Sequence, residues 1–151
     1  MLTTNELRNL ARRGIEIGAH SMTHPELDIL DPTAAMAEIG GSRRVLEDIL
    51  GVPVRSFAYP HGYNSPQTRG LVERAGFRSA VRVRHAQSEW NECRFGLSRL
   101  IITEDLGPDR FMALIAGTAT VVAPPQDRLV ARIWRSTRRL RHWRDQLVLA
   151  G

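Results

Sequence analysis

His20 and His24 stand with three residues between them in Gly14-Ile15-Glu16-Ile17-Gly18-Ala19-His20-Ser21-Met22-Thr23-His24-Pro25. Two imidazoles at this spacing can bind one divalent metal. Ile15, Ile17 and Ala19 alternate with Glu16 and Gly18, the period of a strand. Pro25 removes a backbone donor just after the second His. The pair is therefore expected on a strand-to-loop turn rather than on one helix face. Loops at the C-terminal ends of strands in α/β proteins are where ligands gather. A second segment, Arg55-Ser56-Phe57-Ala58-Tyr59-Pro60-His61-Gly62-Tyr63, also runs from a strand into a Pro/Gly turn. Two such strand ends can form one pocket rim. A chance pair of histidines on a solvated loop is the alternative.

The elements that must position these residues alternate between helix and strand. Thr3 with Glu6 makes a capping box for a helix over about 4–13, ended by Gly14. A strand over 15–19 leads into the His turn. Asp31 as N-cap and Pro32 at the first helical position start a helix to about Leu50, closed by Gly51. Ala35, Ile39, Val45, Leu46 and Ile49 form its apolar side, and Gly40-Gly41 weakens its middle. Strand 53–59 enters the second motif. Ser65-Pro66 caps a helix that ends at Gly76. Strands are expected over 78–83 and 99–103 with a loop over 84–96 between them, and Pro108 opens a helix ending at Gly117. This alternation predicts an α/β fold with about four parallel strands.

At these residues the chain resembles the polysaccharide deacetylases (NodB-homology domain, carbohydrate esterase family 4). His20, Ser21 and His24 match a His-Ser/Thr-x-x-His motif, and Phe57, Pro60 and Gly62 match a Phe-x-x-Pro-x-Gly turn. The resemblance covers roughly residues 1–120. It implies a distorted (β/α) barrel, present here in part, and a divalent metal, zinc above all, held by His20 and His24. It implies hydrolysis of N-acetyl groups on a polysaccharide or oligosaccharide, with the His61 backbone N–H as oxyanion donor. Tyr59, Pro60, Gly62 and Tyr63 would line the sugar site, or the tyrosines would simply pack.

The family's first motif, an Asp-Asp pair supplying a metal ligand and the general base, has no counterpart, because no Asp-Asp occurs in this chain. The resemblance thus implies a C-terminal portion of a deacetylase domain, from a truncated gene, a fragment or a late start. Asp28 and Asp31 read as surface and helix-cap residues. Ala58 stands where many relatives carry a base-supporting Arg, and Arg99 could substitute or be plain surface. The family's late Leu-x-His acid motif has no clear match, which leaves His85 and His142, both expected to be exposed.

Composition bounds the remaining readings. The chain has 151 residues, enough for one domain with a core. No stretch approaches the roughly 20 apolar residues of a membrane span, and residues 1–6 do not read as a signal peptide, so a cytoplasmic location is the default expectation. Cys93 is alone. All 21 basic residues are Arg. Residues 1–123 hold 14 Arg against 14 Asp plus Glu; residues 124–151 hold 7 Arg against Asp127 and Asp145, so the whole +5 excess sits in the tail. The chain accordingly divides into a deacetylase-like part, 1–123, and a basic helical tail, 124–151, after Pro124-Pro125.

In the tail, Leu129, Ile133, Leu140, Trp143 and Leu147 form one stripe, with Arg132, Arg135, Arg138, Arg139 and Arg141 on other faces. The stripe is expected to pack on the domain, leaving the Arg face for solvent or an anionic membrane surface; nucleic acid is not an expected partner. Two other functions compete with the enzyme: a non-catalytic remnant of the fold, and a basic membrane- or polyanion-associated module acting through the tail.

Overall fold

The computed structural model describes residues 2–119 and 121 and, in the tail, 133, 134, 136–138, 140, 141 and 144. Helix α1 spans Thr4–Arg12, and its N-terminus is the expected capping box: Thr3 accepts from Glu6 N–H while the Glu6 carboxylate accepts from Thr3 N–H at 2.7 Å. Helix α2, Pro32–Leu50, starts at Asp31, whose carboxylate accepts from Thr33 and Ala34 N–H, and stops at Gly51 with φ 69°. Strand β1 (Ser56–Ala58) leads into a tight turn at Pro60–Gly62. Helix α3 (Pro66–Arg74) comes next, capped by Ser65, then β2 (Ser79–His85), β3 (Leu97–Arg99) and α4 (Pro108–Ile115).

The strands form a parallel sheet in the order β1-β2-β3, with Phe57 opposite Ala80 and Val81 opposite Leu97. Parallel neighbours put their C-terminal ends on one side, which is how the two motif turns are gathered. The core is Ala19, Val54, Phe57, Tyr59 and Ala80, packed with Ala35 and Ile39 of α2 and Leu71 and Val72 of α3. Phe57 meets Tyr59 and Phe77 at ring-centroid distances of 5.4 and 5.2 Å. Burial of such side chains, worth about 1.5–3 kcal/mol each, holds the helices on the sheet.

The structure departs from the sequence expectations at four places. The strand over 15–19 is reduced to one parallel bridge, Ala19 with Phe57. Ile15 N–H is turned back to Leu10 O at the end of α1, so the segment reaches β1 only at its last residue. The strand expected over 99–103 lies earlier, at Leu97–Arg99, because Glu92 grips Ser98 through both its N–H (3.0 Å) and its hydroxyl (2.8 Å). Strand β2 runs on to His85, past the expected start of the loop. Asp28 is not a surface residue: it is 3% exposed and paired with Arg138.

That pair also bears on the tail. Positions 133, 134, 136–138, 140, 141 and 144 are helical. Ile133 and Leu140 of the expected packing stripe are 57% and 65% exposed, whereas Arg138 is buried. Among the described residues, a bidentate ion pair ties the tail to Asp28. Leu129, Trp143 and Leu147, with Arg132, Arg135, Arg139 and His142, lie outside the described residues.

This packing can be tested at two residues. Gly62 has φ 75°, and a Cβ placed there would lie 2.5 Å from Val83 N and Cβ on β2. Gly62→Ala therefore forces the turn off the sheet, and its urea midpoint should report a loss of at least about 2 kcal/mol, from overpacking added to positive-φ strain.

The second residue is Glu92. Burial pushes its carboxyl up, but donors from Ser98 N–H, Arg82 and the Ser98 and Ser88 hydroxyls outweigh burial and hold it at about 2. A depressed folded-state value stabilises above the unfolded value, about 4.5, and is lost as pH falls through the folded one. The stability difference between wild type and Glu92→Gln should therefore be full above about pH 5 and shrink toward pH 2 in denaturant titrations.

Candidate functional site

Backbone pairing brings the two motifs together. Ala19 N–H donates to Ser56 O and Ala58 N–H to Ala19 O, each at 2.9 Å. His20 therefore leaves the sheet edge beside the residues just after β1. Its Nδ1 lies 2.7 Å from Ala58 O. A carbonyl oxygen can only accept, so Nδ1 carries the proton, and in the neutral ring Nε2 is the nitrogen left with a lone pair. Imidazoles that bind metals are commonly oriented by an outer contact of this kind.

The loop from Ser21 to His24 is held from α2. Glu38 accepts from Met22 N–H (2.8 Å), Thr23 N–H (2.9 Å) and the Thr23 hydroxyl (2.7 Å). Burial works against the Glu38 charge, but these donors hold its carboxyl below the usual range. One turn on, a Cβ at Gly41 would sit 3.2 Å from Met22 Cγ. Its absence lets the loop settle on the helix. Ser21 accepts from His24 N–H at 3.0 Å, and both residues take positive φ, 65° and 63°.

The second turn is equally constrained. Gly62 N–H donates to Tyr59 O and Tyr63 N–H to Pro60 O. These bonds place His61, φ 55° and ψ 0°, in the left-handed position of a turn that Pro60 initiates. The imidazoles then line up: His20 to His24 is 4.9 Å between ring centroids, His24 to His61 is 4.5 Å, and His61 to Tyr63 is 5.8 Å. All three histidines are exposed.

Rings that share one zinc at about 2.1 Å per nitrogen have centroids roughly 5 Å apart, so His20 and His24 meet the spacing for a common metal. Among the described residues, no group of three His, Cys, Asp or Glu side chains is arranged to hold one. The donor set thus fits two ligands and no more.

Other sequence-derived candidates fall away from this cluster. Tyr59 is wholly buried, and its hydroxyl donates to Phe95 O at 2.8 Å. It takes the packing alternative, and burial pushes its hydroxyl pKa up. Pro60 is buried too, so the pair supports the rim from below. Asp31 is the helix cap expected of it. His85 accepts from Ile101 N–H at 3.0 Å and lines a separate cavity of about 510 Å³ with Ile101, Asp105 and Arg110. Arg99 is exposed.

Two residues close to the cluster are not evident from sequence. Glu38 reads as one more helix-surface carboxylate, and only the fold of the loop onto α2 reveals it. Arg138 lies 3.8 Å above the Tyr63 ring, and nothing local to the tail signals that contact.

Comparison with known proteins identifies the family and the fold. In Bacillus subtilis, YxkH is 23% identical over 114 residues, 76% of this chain and 41% of that protein. Chitin deacetylase 1 of Cryptococcus neoformans is 29% identical over 68 residues, 45% of this chain and 14% of that protein. A Streptococcus pyogenes deacetylase solved with acetate superposes with a TM-score of 0.71 at 21% identity, covering 74% of this chain and 49% of that one. The chain thus spans less than half the length of each of these relatives. The model of the polysaccharide deacetylase family matches residues 3–80, slightly more than half of the chain and both histidine turns, and the chain belongs to that family.

Proposed function

We infer that the chain acts in the hydrolysis of N-acetyl groups on a polysaccharide or oligosaccharide and that it holds the two-imidazole half of a metal-dependent centre. One observation carries this reading. His20 and His24 face each other at 4.9 Å, with His20 Nδ1 committed to Ala58 O, at the C-terminal side of a parallel sheet. Acetate bound to the Streptococcus pyogenes deacetylase fits such a product, and chitin deacetylase 1 names an N-acetylated polymer as the substrate class.

His20 and His24 would hold a divalent metal, zinc first among them. When bound, such a metal acidifies a coordinated water and polarises the acetyl oxygen. This chain's own residues do the rest of what can be derived. The hydrogen bonds of the Tyr59–Tyr63 turn are donated by Gly62 and Tyr63, so the His61 N–H is the amide that this turn leaves for a developing oxyanion. Tyr63 and Gly62 flank it on the rim, where an acetylated sugar would rest. Asp-Asp is absent from the sequence, so a third ligand and a base must come from elsewhere for turnover. The open three-stranded sheet is read as a sector of the family's barrel, with residues 1–123 as the deacetylase part and 124–151 as an appended tail.

Titration calorimetry with zinc tests the ligand assignment. His20→Ala and His24→Ala should each weaken binding by at least about tenfold, as loss of one of only two protein ligands demands. Unchanged binding in both variants would overturn it. The 151-residue chain alone should release little or no acetate from an N-acetylglucosamine oligomer, since among the described residues no carboxylate joins the two imidazoles as ligand or base. Robust metal-dependent release that His20→Ala abolishes would show the centre to be complete.

A further inference from the structure

Arg138 lies 75 residues beyond Tyr63 in sequence, yet it touches the segment after each of the two histidine turns. Its Nη1 and Nη2 donate to Asp28 Oδ1 and Oδ2 at 3.0 and 2.9 Å, and Nη1 also donates to Glu26 Oε2 at 3.1 Å. Asp28 is four residues after His24. On its other side, the guanidinium carbon sits 3.8 Å over the ring of Tyr63, two residues after His61. The side chain is 8% exposed and Asp28 is 3% exposed. Arg138 therefore spans the two loops whose histidine rings meet at 4.5 Å.

The chemistry of the contact suits a brace. A bidentate Arg–carboxylate pair fixes orientation as well as distance, because both partners are planar. The flat guanidinium can stack on an aromatic face at the same time, which a Lys ammonium cannot do with equal geometry. Burial opposes the charge on Arg138, and Asp28 and Glu26 more than offset it, so the arginine is held as a cation. Among the described residues, the backbone hydrogen bonds joining the two segments are those of Ala19 with Ser56 and Ala58, upstream of both turns.

We propose that Arg138 is a positioning residue for the histidine centre, clamping the loop after His24 to the loop after His61 through Asp28 and Tyr63. The tail helix is then part of the site's architecture, although none of its described side chains is placed as a ligand. This rests on His20 and His24 being metal ligands, and the test separates the two.

Arg138→Met keeps the apolar stem and removes the clamp, and Arg138→Lys keeps the charge. Zinc titrations of the full chain should show Arg138→Met weaker by at least about fivefold, below the roughly tenfold or more that direct outer contacts to metal ligands contribute, because Arg138 acts one contact further out. Arg138→Lys should recover most of that loss. In the metal-free protein, proton NOEs between the His24 and His61 rings, and between His61 and Tyr63, should vanish in Arg138→Met and persist in Arg138→Lys. Wild-type NOEs and zinc affinity in a folded Arg138→Met protein would overturn the proposal and leave Arg138 as an anchor for the tail only. If His20→Ala leaves zinc binding unchanged, the ligand reading fails, and the NOEs alone then judge the clamp.

Discussion

Two hydrogen bonds hold the site in register: Ala19 N–H to Ser56 O, and Ala58 N–H to Ala19 O. They form a single rung of parallel pairing, and everything functional hangs from it. Because the pairing is parallel, both segments leave the sheet at the same edge, His20 on one and Tyr59-Pro60-His61 on the other. A shift of one residue would turn Ala19 outward and bring Gly18 in, since side chains alternate along an extended chain. Gly18 already lies against β1, where a Cβ would sit 3.2 Å from Ser56 O. That close approach favours the register observed.

Helices are legible where local chemistry starts and stops them. Asp31-Pro32 and Gly51 bound α2, and the Thr3/Glu6 box bounds α1, because caps act over three or four residues. Strands are less legible. Ile15 and Ile17 alternate with polar residues, yet the backbone there is committed to the end of α1, and alternation says nothing of which partner lies alongside. The same limit applies to the tail. A helical stripe of apolar residues is a reason to expect packing, but it says nothing of the buried bidentate ion pair, whose partner is 110 residues away. Asp28 escapes a sequence reading for that reason: a carboxylate looks like surface until its arginine is found.

The candidate site divides along the same line. The histidine spacing and the Pro-His-Gly turn are local signals, and the structure brings the rings of His20, His24 and His61 side by side. Glu38, Gly41 and Arg138 are tertiary in character. Each acts across a gap in the chain on a backbone or side chain that no spacing rule connects to it. Gly41 reads in sequence as a weakness in α2, and it is the space into which Met22 fits. Tyr59, legible in sequence as either a sugar contact or a packed ring, is resolved by the carbonyl of Phe95.

The contact that orients His20 joins residues 38 apart, and those that orient Met22 and Thr23 join residues 16 and 15 apart. Contacts of long sequence separation form late in folding, after loop-closure entropy has been met by other interactions. Helix α2 lies between the two histidine turns in sequence, and its Glu38 grips the first of them. The histidine cluster thus depends on the sheet pairing and on α2 as well as on the local turns that spell its motifs. Where such contacts form after the folding barrier, changes to them speed unfolding and leave the folding rate nearly untouched, so a site built on them is free to vary chemically without slowing the acquisition of the fold.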